Sequence, residues 1–365
     1  MKKANVAIFV PHLGCPHACS FCDQRTIAGQ QAAPTPDAVR ATAEVALAAL
    51  GEKAKNAEIA FFGGSFTAIP QETMEALLDA AAPFVLKGDT ADRPGFSGIR
   101  ISTRPDAIDA HILSVLKRYG VTAIELGAQS MDDAVLAQNG RGHTRRDVET
   151  ASALIRAYDF ELGLQMMTGL YGSSDDQDIE TARAIAACAP ETVRIYPTIV
   201  LEGTQLAALY RSGLYKPPAL DGAVALCARL LEFFNQQDIR VIRLGLHASR
   251  GIEQKLLAGP WHPAFRELCE SEIYLKRARA SLLALPLGSE TLPLGSGTLP
   301  EGERAAVLYV APSAVSKLAG QHRKNILLLE AQFNRKIIIR ARAARQGEEC
   351  ADAYYVDARE AEQCF

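Results

Sequence analysis

The sequence lacks several things, and each lack narrows what the chain can be. No stretch approaches the roughly 18 consecutive apolar residues of a membrane span. The first residues, MKKANVAIFVPHLG, hold two lysines but only a short apolar run broken by Pro11. They read as a first strand and not as a signal peptide, so a cytoplasmic protein is expected. Neither sign of charge dominates. The net charge is −3, which predicts no strong whole-molecule attraction to nucleic acid. Cysteine is sparse: eight in 365 residues exclude a disulfide scaffold. Hydrophobic residues at 48% and charged residues at 22% exclude a disordered or collagen-like chain.

What is present is an alternation of strand and helix signals. Apolar runs at 5–11, 57–64, 98–106, 122–130, 161–170, 192–200 and 239–246 read as strands. Helical patterns fall between them at 37–50, 71–85, 107–120, 145–159, 175–188, 204–213 and 219–236. Asp37 is placed to cap or favour the first of these helices. Alternation of this kind means parallel strands with helical crossovers, hence an α/β fold with an open or closed barrel over residues 1–250. After residue 250 the pattern changes. A long helix is expected at 263–284, and residues 285–304 have the Pro, Gly and Ser content of a loop, so 251–303 reads as a helical extension and linker. A small α+β domain is expected at 304–365: a βααβ unit over 305–342, then a polar tail that is partly frayed.

Three of the eight cysteines crowd into one segment, Gly14-Cys15-Pro16-His17-Ala18-Cys19-Ser20-Phe21-Cys22, with C-x3-C-x2-C spacing. A structural zinc site usually shows two short-spaced pairs that close a tetrahedral shell; here no second pair is near. Three thiolates in one loop suit three irons of a 4Fe–4S cluster, leaving the fourth iron open for a small molecule. A zinc knuckle recruiting His12 or His17, or unligated structural cysteines, are the alternatives. Cys188, Cys227, Cys269, Cys350 and Cys364 are scattered and read as small buried hydrophobes.

The cysteine spacing, following a first strand and with Phe21 before the third cysteine, resembles the signature of radical S-adenosylmethionine (SAM) enzymes. Further strings extend the resemblance to the radical SAM half of the Elongator catalytic subunit, over residues 5 to about 246. They are Phe62-Gly63-Gly64-Ser65-Phe66-Thr67, Ser102-Thr103-Arg104-Pro105-Asp106, Glu125-Leu126-Gly127-Ala128-Gln129-Ser130, Arg141-Gly142-His143-Thr144 and Arg194-Ile195-Tyr196-Pro197-Thr198. The resemblance implies a partial (β/α)6-type radical SAM barrel. It implies a 4Fe–4S cluster on Cys15, Cys19 and Cys22, with SAM as the second cofactor. It further implies cleavage of SAM to a 5′-deoxyadenosyl radical, oxygen sensitivity, and an electron donor such as flavodoxin or ferredoxin. SAM would lie against Phe21, Gly63, Gly64, Ser65, Ser102, Gln129, Arg141 and Gln165. A glycine pair admits close backbone approach, and a guanidinium suits a carboxylate. Gln165 stands alone among Leu162, Leu164, Met166 and Met167, and a polar residue in a buried strand needs a partner. Ser102 departs from the glutamate common in Elongator-type sequences. Tyr196 is either a core residue or part of the pocket wall.

The strings of the Elongator acetyltransferase domain do not occur after residue 250, so no acetyl-CoA-dependent activity is expected. The 305–342 unit instead resembles a KH module, with Gly320-Gln321-His322-Arg323 where such modules carry their G-x-x-G backbone clamp; Arg323 replaces the second glycine. From Arg304 to Arg345 there are nine Lys or Arg against one acid, Glu330. Since the whole chain holds 39 bases and 42 acids, this piece is +8 and the remainder −11. A concentrated basic face is an electrostatic footprint for phosphates, so the expected substrate is RNA, most simply tRNA. A small-molecule or protein substrate, or a non-catalytic RNA-binding protein on the same fold, are the other readings.

Overall fold

The computed structural model describes residues 4–10, 15, 19–23, 26, 32–86, 94–285, 292–293, 305–342 and 356–362. The chain forms two compact units, residues 1–223 with 233–263, and residues 224–232 with 264–365.

The first unit begins β1 (Ala4–Val10), α1 (Pro36–Leu50), β2 (Ala57–Gly63), α2 (Gln71–Ala81), β3 (Ile99–Thr103), α3 (Ala110–Arg118) and β4 (Val121–Gln129). It continues α4 (Asp133–Gln138), α5 (Arg145–Ala157), β5 (Glu161–Thr168), α6 (Asp175–Ala187), β6 (Thr192–Pro197), β7 (Val200–Leu201) and α7 (Gln205–Arg211). Next come α8 (Leu220–Gln236), whose middle groups with the second unit, β8 (Arg240–Leu244), α9 (Arg250–Lys255) and β9 (Leu256–Ala258). Seven strands form one sheet in the order β1-β2-β3-β4-β5-β6-β8. Every neighbouring pair is parallel. β1 and β8 are its two edges, so the barrel is partial. The antiparallel pair β7–β9 was not foreseen from the sequence, since neither piece is long enough to show a period.

Local chemistry explains where the helices start. Thr35 caps α1, accepting from the Ala38 backbone N–H at 3.2 Å, and Pro36 and Asp37 occupy its first turn. The cap expected of Asp37 therefore belongs to Thr35, and Asp37 favours the turn by its charge. Thr144 with Asp147, and Ser174 with Gln177, form reciprocal capping boxes on α5 and α6, fixing the chain just after β4 and β5. The inner strands are apolar: Ile59, Phe61, Ile99, Ile101, Ile124, Leu162, Leu164 and Ile195 are all buried, as a sheet covered on both faces requires.

The second unit holds α10 (Phe265–Leu283), β10 (Leu292–Pro293), β11 (Ala305–Val310), α11 (Val315–Ala319), α12 (Lys324–Phe333), β12 (Lys336–Ala341) and β13 (Asp357–Glu362). Its sheet runs β10-β13-β11-β12, with β11 parallel to β12 and antiparallel to β13. The expected βααβ order is present. Within the polar tail, read as partly frayed, residues 357–362 form a strand that pairs with β11 from Tyr309↔Asp357 to Ala305↔Ala361. DAREAE has no apolar alternation, and pairing within the sheet overrides its weak strand propensity. Leu318, Ile326, Leu329 and Ile337 fill the core of this unit. Asn325 donates to the Ser271 hydroxyl at 2.9 Å and to its carbonyl at 3.1 Å. Cys227 and Cys269 are buried and Cys188 is half-buried; Cys350, Cys364 and most of the 285–304 linker lie outside the described residues. Among the described residues no helix is long and apolar enough to cross a membrane.

Candidate active site

The residues singled out in the sequence gather at the C-terminal ends of the parallel strands, where α/β barrels build their sites. At the end of β2, Gly63 has φ +113°, and a Cβ there would stand 3.3 Å from the Val10 backbone. Only glycine fits this close crossing of β1 and β2. The Gly64 N–H closes it by donating to the Val10 carbonyl at 2.7 Å.

At the end of β4 the pairing with β5 slips between Leu126 and Gln129, and Gln129 sits at φ +64°, a costly conformation for a non-glycine residue. The slip frees two carbonyls. Gly127 O accepts from Arg141 Nη2 at 2.7 Å, and Ala128 O lies 3.1 Å from His143 Nε2. Because a carbonyl only accepts, that nitrogen carries the proton. Burial, with the Arg141 charge beside it, pushes His143 down to about 4, so the ring is neutral at pH 7. Arg141 Nη1 donates to Cys19 Sγ at 3.2 Å, and its Nε is buried without a partner. Arg141, expected from the resemblance to meet a SAM carboxylate, thus spends its two terminal nitrogens on the β4 bulge and on a thiol.

Cys15, Cys19 and Cys22 line one cavity together with Gly63, Gly64, Ser65, Gln129 and Arg141. Cys15 Sγ lies 3.8 Å from Ser65 Oγ. Ser20 fixes the cysteine segment: its N–H and hydroxyl donate to the Asn139 carbonyl and side chain at 3.1 and 2.6 Å, and its carbonyl accepts from Leu206 N–H at 2.7 Å. Phe21 packs beside Val200, Leu206 and Tyr215.

Cys22, Gly63, Ser102, Gln129 and Gln165 also line a second, larger cavity of about 320 Å³ inside the barrel, where Tyr196 forms part of the wall. A buried charge network supports it. Gln165 Nε2 donates to Ser102 Oγ at 3.1 Å and to Glu125 Oε2 at 2.9 Å, which is the partner its isolation demanded. Glu125 also accepts from Arg194 Nη2 at 2.9 Å and from Arg100 Nη1 at 3.4 Å. Arg100 in turn holds Glu58 at 2.8 Å and Glu161 at 2.7 Å. Burial alone would lower the Arg194 pKa, but Glu125 outweighs it and holds the guanidinium firmly charged. Arg194 also stands 4.9 Å from the Phe62 ring centroid, a cation–π contact. Gly163 makes room for all this, because a Cβ there would meet Glu125 Cγ at 2.8 Å. Glu125, Arg100 and Gly163 were not singled out for roles in the sequence. Charged residues inside the runs GIRIST, TAIELGA and TVRIYP were the available signal, since buried charges must be paired.

The residues present fit an iron–sulfur cluster with a zwitterionic ligand beside it. Three soft thiols share one cavity, a glycine opens the backbone next to them, and a buried guanidinium nitrogen lacks an acceptor. Among the described residues no three His, Cys, Asp or Glu side chains are already drawn together as a metal set, so the thiols share a cavity rather than a coordination sphere. His12 and His17, the ligands of the zinc alternative, lie outside the described residues.

The profile of the radical SAM superfamily matches residues 9–185, and that of the radical SAM C-terminal domain matches 190–276. The chain belongs to the radical SAM superfamily. It is therefore an enzyme of that superfamily, with a 4Fe–4S cluster and SAM as its cofactors. It is 28% identical over 239 residues to the tRNA uridine(34) acetyltransferase of Dehalococcoides mccartyi, covering 58% of this chain and 52% of that protein. It is 31% identical over 197 residues to human Elongator complex protein 3, covering 50% of this chain and 36% of that protein. The chain thus spans about half or less of the length of these curated relatives. The archaeal Methanocaldococcus infernus Elp3 shares the fold, with a TM-score of 0.59 and 23% identity over 75% of this chain and 63% of its own.

In the second unit, the loop between α11 and α12 places Gly320 at φ +73° and His322 and Arg323 at φ +51° and +60°. Arg323, standing where the G-x-x-G string has its second glycine, adopts the left-handed conformation that a glycine would supply.

Proposed function

We propose that this protein is a radical SAM enzyme that modifies RNA, with tRNA as the substrate class. The observation that carries the reading is the continuity of the site: the cavity of the three thiols and the barrel cavity share five lining residues. Cys15, Cys19 and Cys22 would hold three irons, leaving the fourth to the amino and carboxylate groups of SAM. With both cofactors bound, one-electron cleavage of SAM supplies a 5′-deoxyadenosyl radical that takes a hydrogen atom from the substrate.

The chain's own residues bind, orient and shield. Gly63 and Gly64 admit the ligand to the backbone, with Ser65 beside them. Gln129 and Arg141 present polar groups at the β4 bulge. Glu125 can only accept, so it holds the Gln165 amide with its nitrogen inward and leaves the amide oxygen as an acceptor, suited to a ribose hydroxyl with Ser102 alongside. Phe21 contributes an apolar wall that excludes water. Arg194 is kept charged and fixed by Glu125.

Two observations support RNA as the substrate. The Dehalococcoides relative is named for action on tRNA uridine. The second unit carries Lys317, Arg323, Lys324, Arg335, Lys336, Arg340 and Arg342 around a KH-like βααβ order, a concentration of charge suited to a phosphate backbone. A flavodoxin- or ferredoxin-type donor would supply the electron, and residues 251–303 would connect the barrel to a basic domain at 304–365.

The test is anaerobic reconstitution followed by iron and sulfide analysis, a 5′-deoxyadenosine assay and comparison of tRNA from deletion and parent strains. About four irons and four sulfides per chain are expected, with 5′-deoxyadenosine formed from SAM, none formed by Cys19→Ala, and one tRNA modification missing from the deletion strain. Stoichiometric zinc without cluster absorbance would refute the cofactor site. Unaltered tRNA would refute the RNA substrate while leaving the radical chemistry standing.

A further inference from the structure

The far wall of the barrel cavity carries a charge that the buried network does not absorb. Gln165, Arg194 and Arg243 form one row across β5, β6 and β8, paired Gln165↔Arg194 and Arg194↔Arg243. The register of β6 on β8 slips here: Val193 faces Val241, but Arg194 faces Arg243 rather than Ile242. A slip of this kind re-aims a side chain. Without it the alternation of β8 would turn Arg243 away from the face that Arg194 occupies. With it, Arg243 lines the cavity.

The two arginines of this row differ in what they face. Arg194 is neutralised by Glu125, with Nε 2.7 Å from Oε2. Arg243 makes no ion pair among the described residues. Its Nε donates to the Gly245 carbonyl at 3.0 Å, which steadies the guanidinium and leaves its terminal nitrogens for another acceptor. Among the described residues no Asp or Glu lines this cavity, and His247 is the only other basic side chain there besides Arg194. The wall also carries Phe9, Phe62, Met167, Tyr196 and Leu246, apolar and partly aromatic, beside the polar Ser102, Gln129 and Gln165. A cation with open donors beside aromatic faces matches a ligand with an anionic group at one end and a flat ring at the other.

We propose that Arg243 is the phosphate-binding residue of the substrate subsite, holding a nucleotide whose base lies against the aromatic wall. This rests on the reading of RNA as substrate and deepens it. It requires that the target nucleotide enter the barrel out of its stack, as enzymes acting on a base require.

The test uses full-length, cluster-loaded protein, with uridine 5′-monophosphate, uridine and bulk tRNA as probes against wild type, Arg243→Gln and Arg243→Lys. Wild type should bind the monophosphate roughly tenfold or more tightly than uridine, the scale of a charged hydrogen bond. Arg243→Gln should bring the two within about twofold while Arg243→Lys retains part of the preference, and thermal melting should show all three folded. Equal binding of the two probes by wild type, binding of neither, or a preference surviving in Arg243→Gln would overturn the proposal. A fall in SAM affinity without loss of the preference would assign Arg243 to the cofactor and equally overturn it. A phosphate preference lost in Arg243→Gln, together with no tRNA binding by wild type, would keep the subsite for a free nucleotide and reject RNA as its source.

Discussion

Replacing Glu125 by glutamine should be among the most damaging single changes in the barrel. The side chain is 1% exposed and meets donors from Arg194, Arg100 and Gln165. Arg100 keeps Glu58 and Glu161 when Glu125 is lost, but among the described residues Arg194 has no other carboxylate. Glu125→Gln therefore leaves one buried guanidinium without a counter-charge, a change that costs about 3–5 kcal/mol. Arg194→Met removes the opposite charge and leaves Glu125 with Arg100 and Gln165, so it should cost less. The double variant should be more stable than the two single effects predict, by about 2 kcal/mol or more, because the orphaned charge is gone. Trp261 is the only tryptophan and belongs to the first unit. Its fluorescence during urea unfolding therefore reports the barrel unit directly, without requiring the whole chain to unfold in one step. Additive single effects, or a Glu125→Gln cost below about 1 kcal/mol, would show that the network does not act as a closed set of charges.

Two further outcomes follow from single residues. His143 has an ordinary value of 6.5 and is held down to about 4, so the folded chain refuses a proton there that the unfolded chain accepts. The stability this contributes is present above pH 6.5 and is lost as pH falls from 6.5 to 4, by about 3 kcal/mol at 1.36 kcal/mol per unit. His143→Gln keeps a donor for Ala128 and should remove that part of the pH slope, and a slope unchanged between pH 7.5 and 4.5 would refute the assignment. In the second unit, Arg323→Gly relieves a left-handed residue at φ +60° but loosens the unfolded chain, for a net gain of up to about 1 kcal/mol. It should at the same time weaken tRNA binding at low salt. Stability and affinity moving together would remove the loop from the proposed RNA face.

The seven barrel strands and their crossovers were legible because parallel inner strands are short, apolar and bounded by caps and glycines. Gly63 was legible because a strand end at φ +113° favours glycine, and the short cysteine spacing was enough to bring three thiols to one cavity. The charge network was legible in principle: like Gln165, Arg100, Glu125 and Arg194 stand in buried strands and need partners, and together they close into one network. The register slips at Leu126–Gln129 and at Val193–Arg194 were not legible, because a slip depends on how two strands meet and leaves no mark on either alone. The same holds for the tail strand 357–362, whose polar sequence pairs only because β11 offers it a ladder.

Ser20 lies between the second and third cysteines and is tied to Asn139 and to Leu206, two points far apart in the sequence. The Cys22 N–H also closes a turn onto the Cys19 carbonyl at 3.1 Å. The stretch carrying Cys19 and Cys22 is therefore shaped by folding itself, before any inorganic ligand arrives. Two of the three sulfurs therefore ride on a support that folding builds. The backbone entropy of that stretch is lost when the chain folds and is not lost again on ligation, so cutting the Ser20 tether would move that cost from folding to cofactor binding.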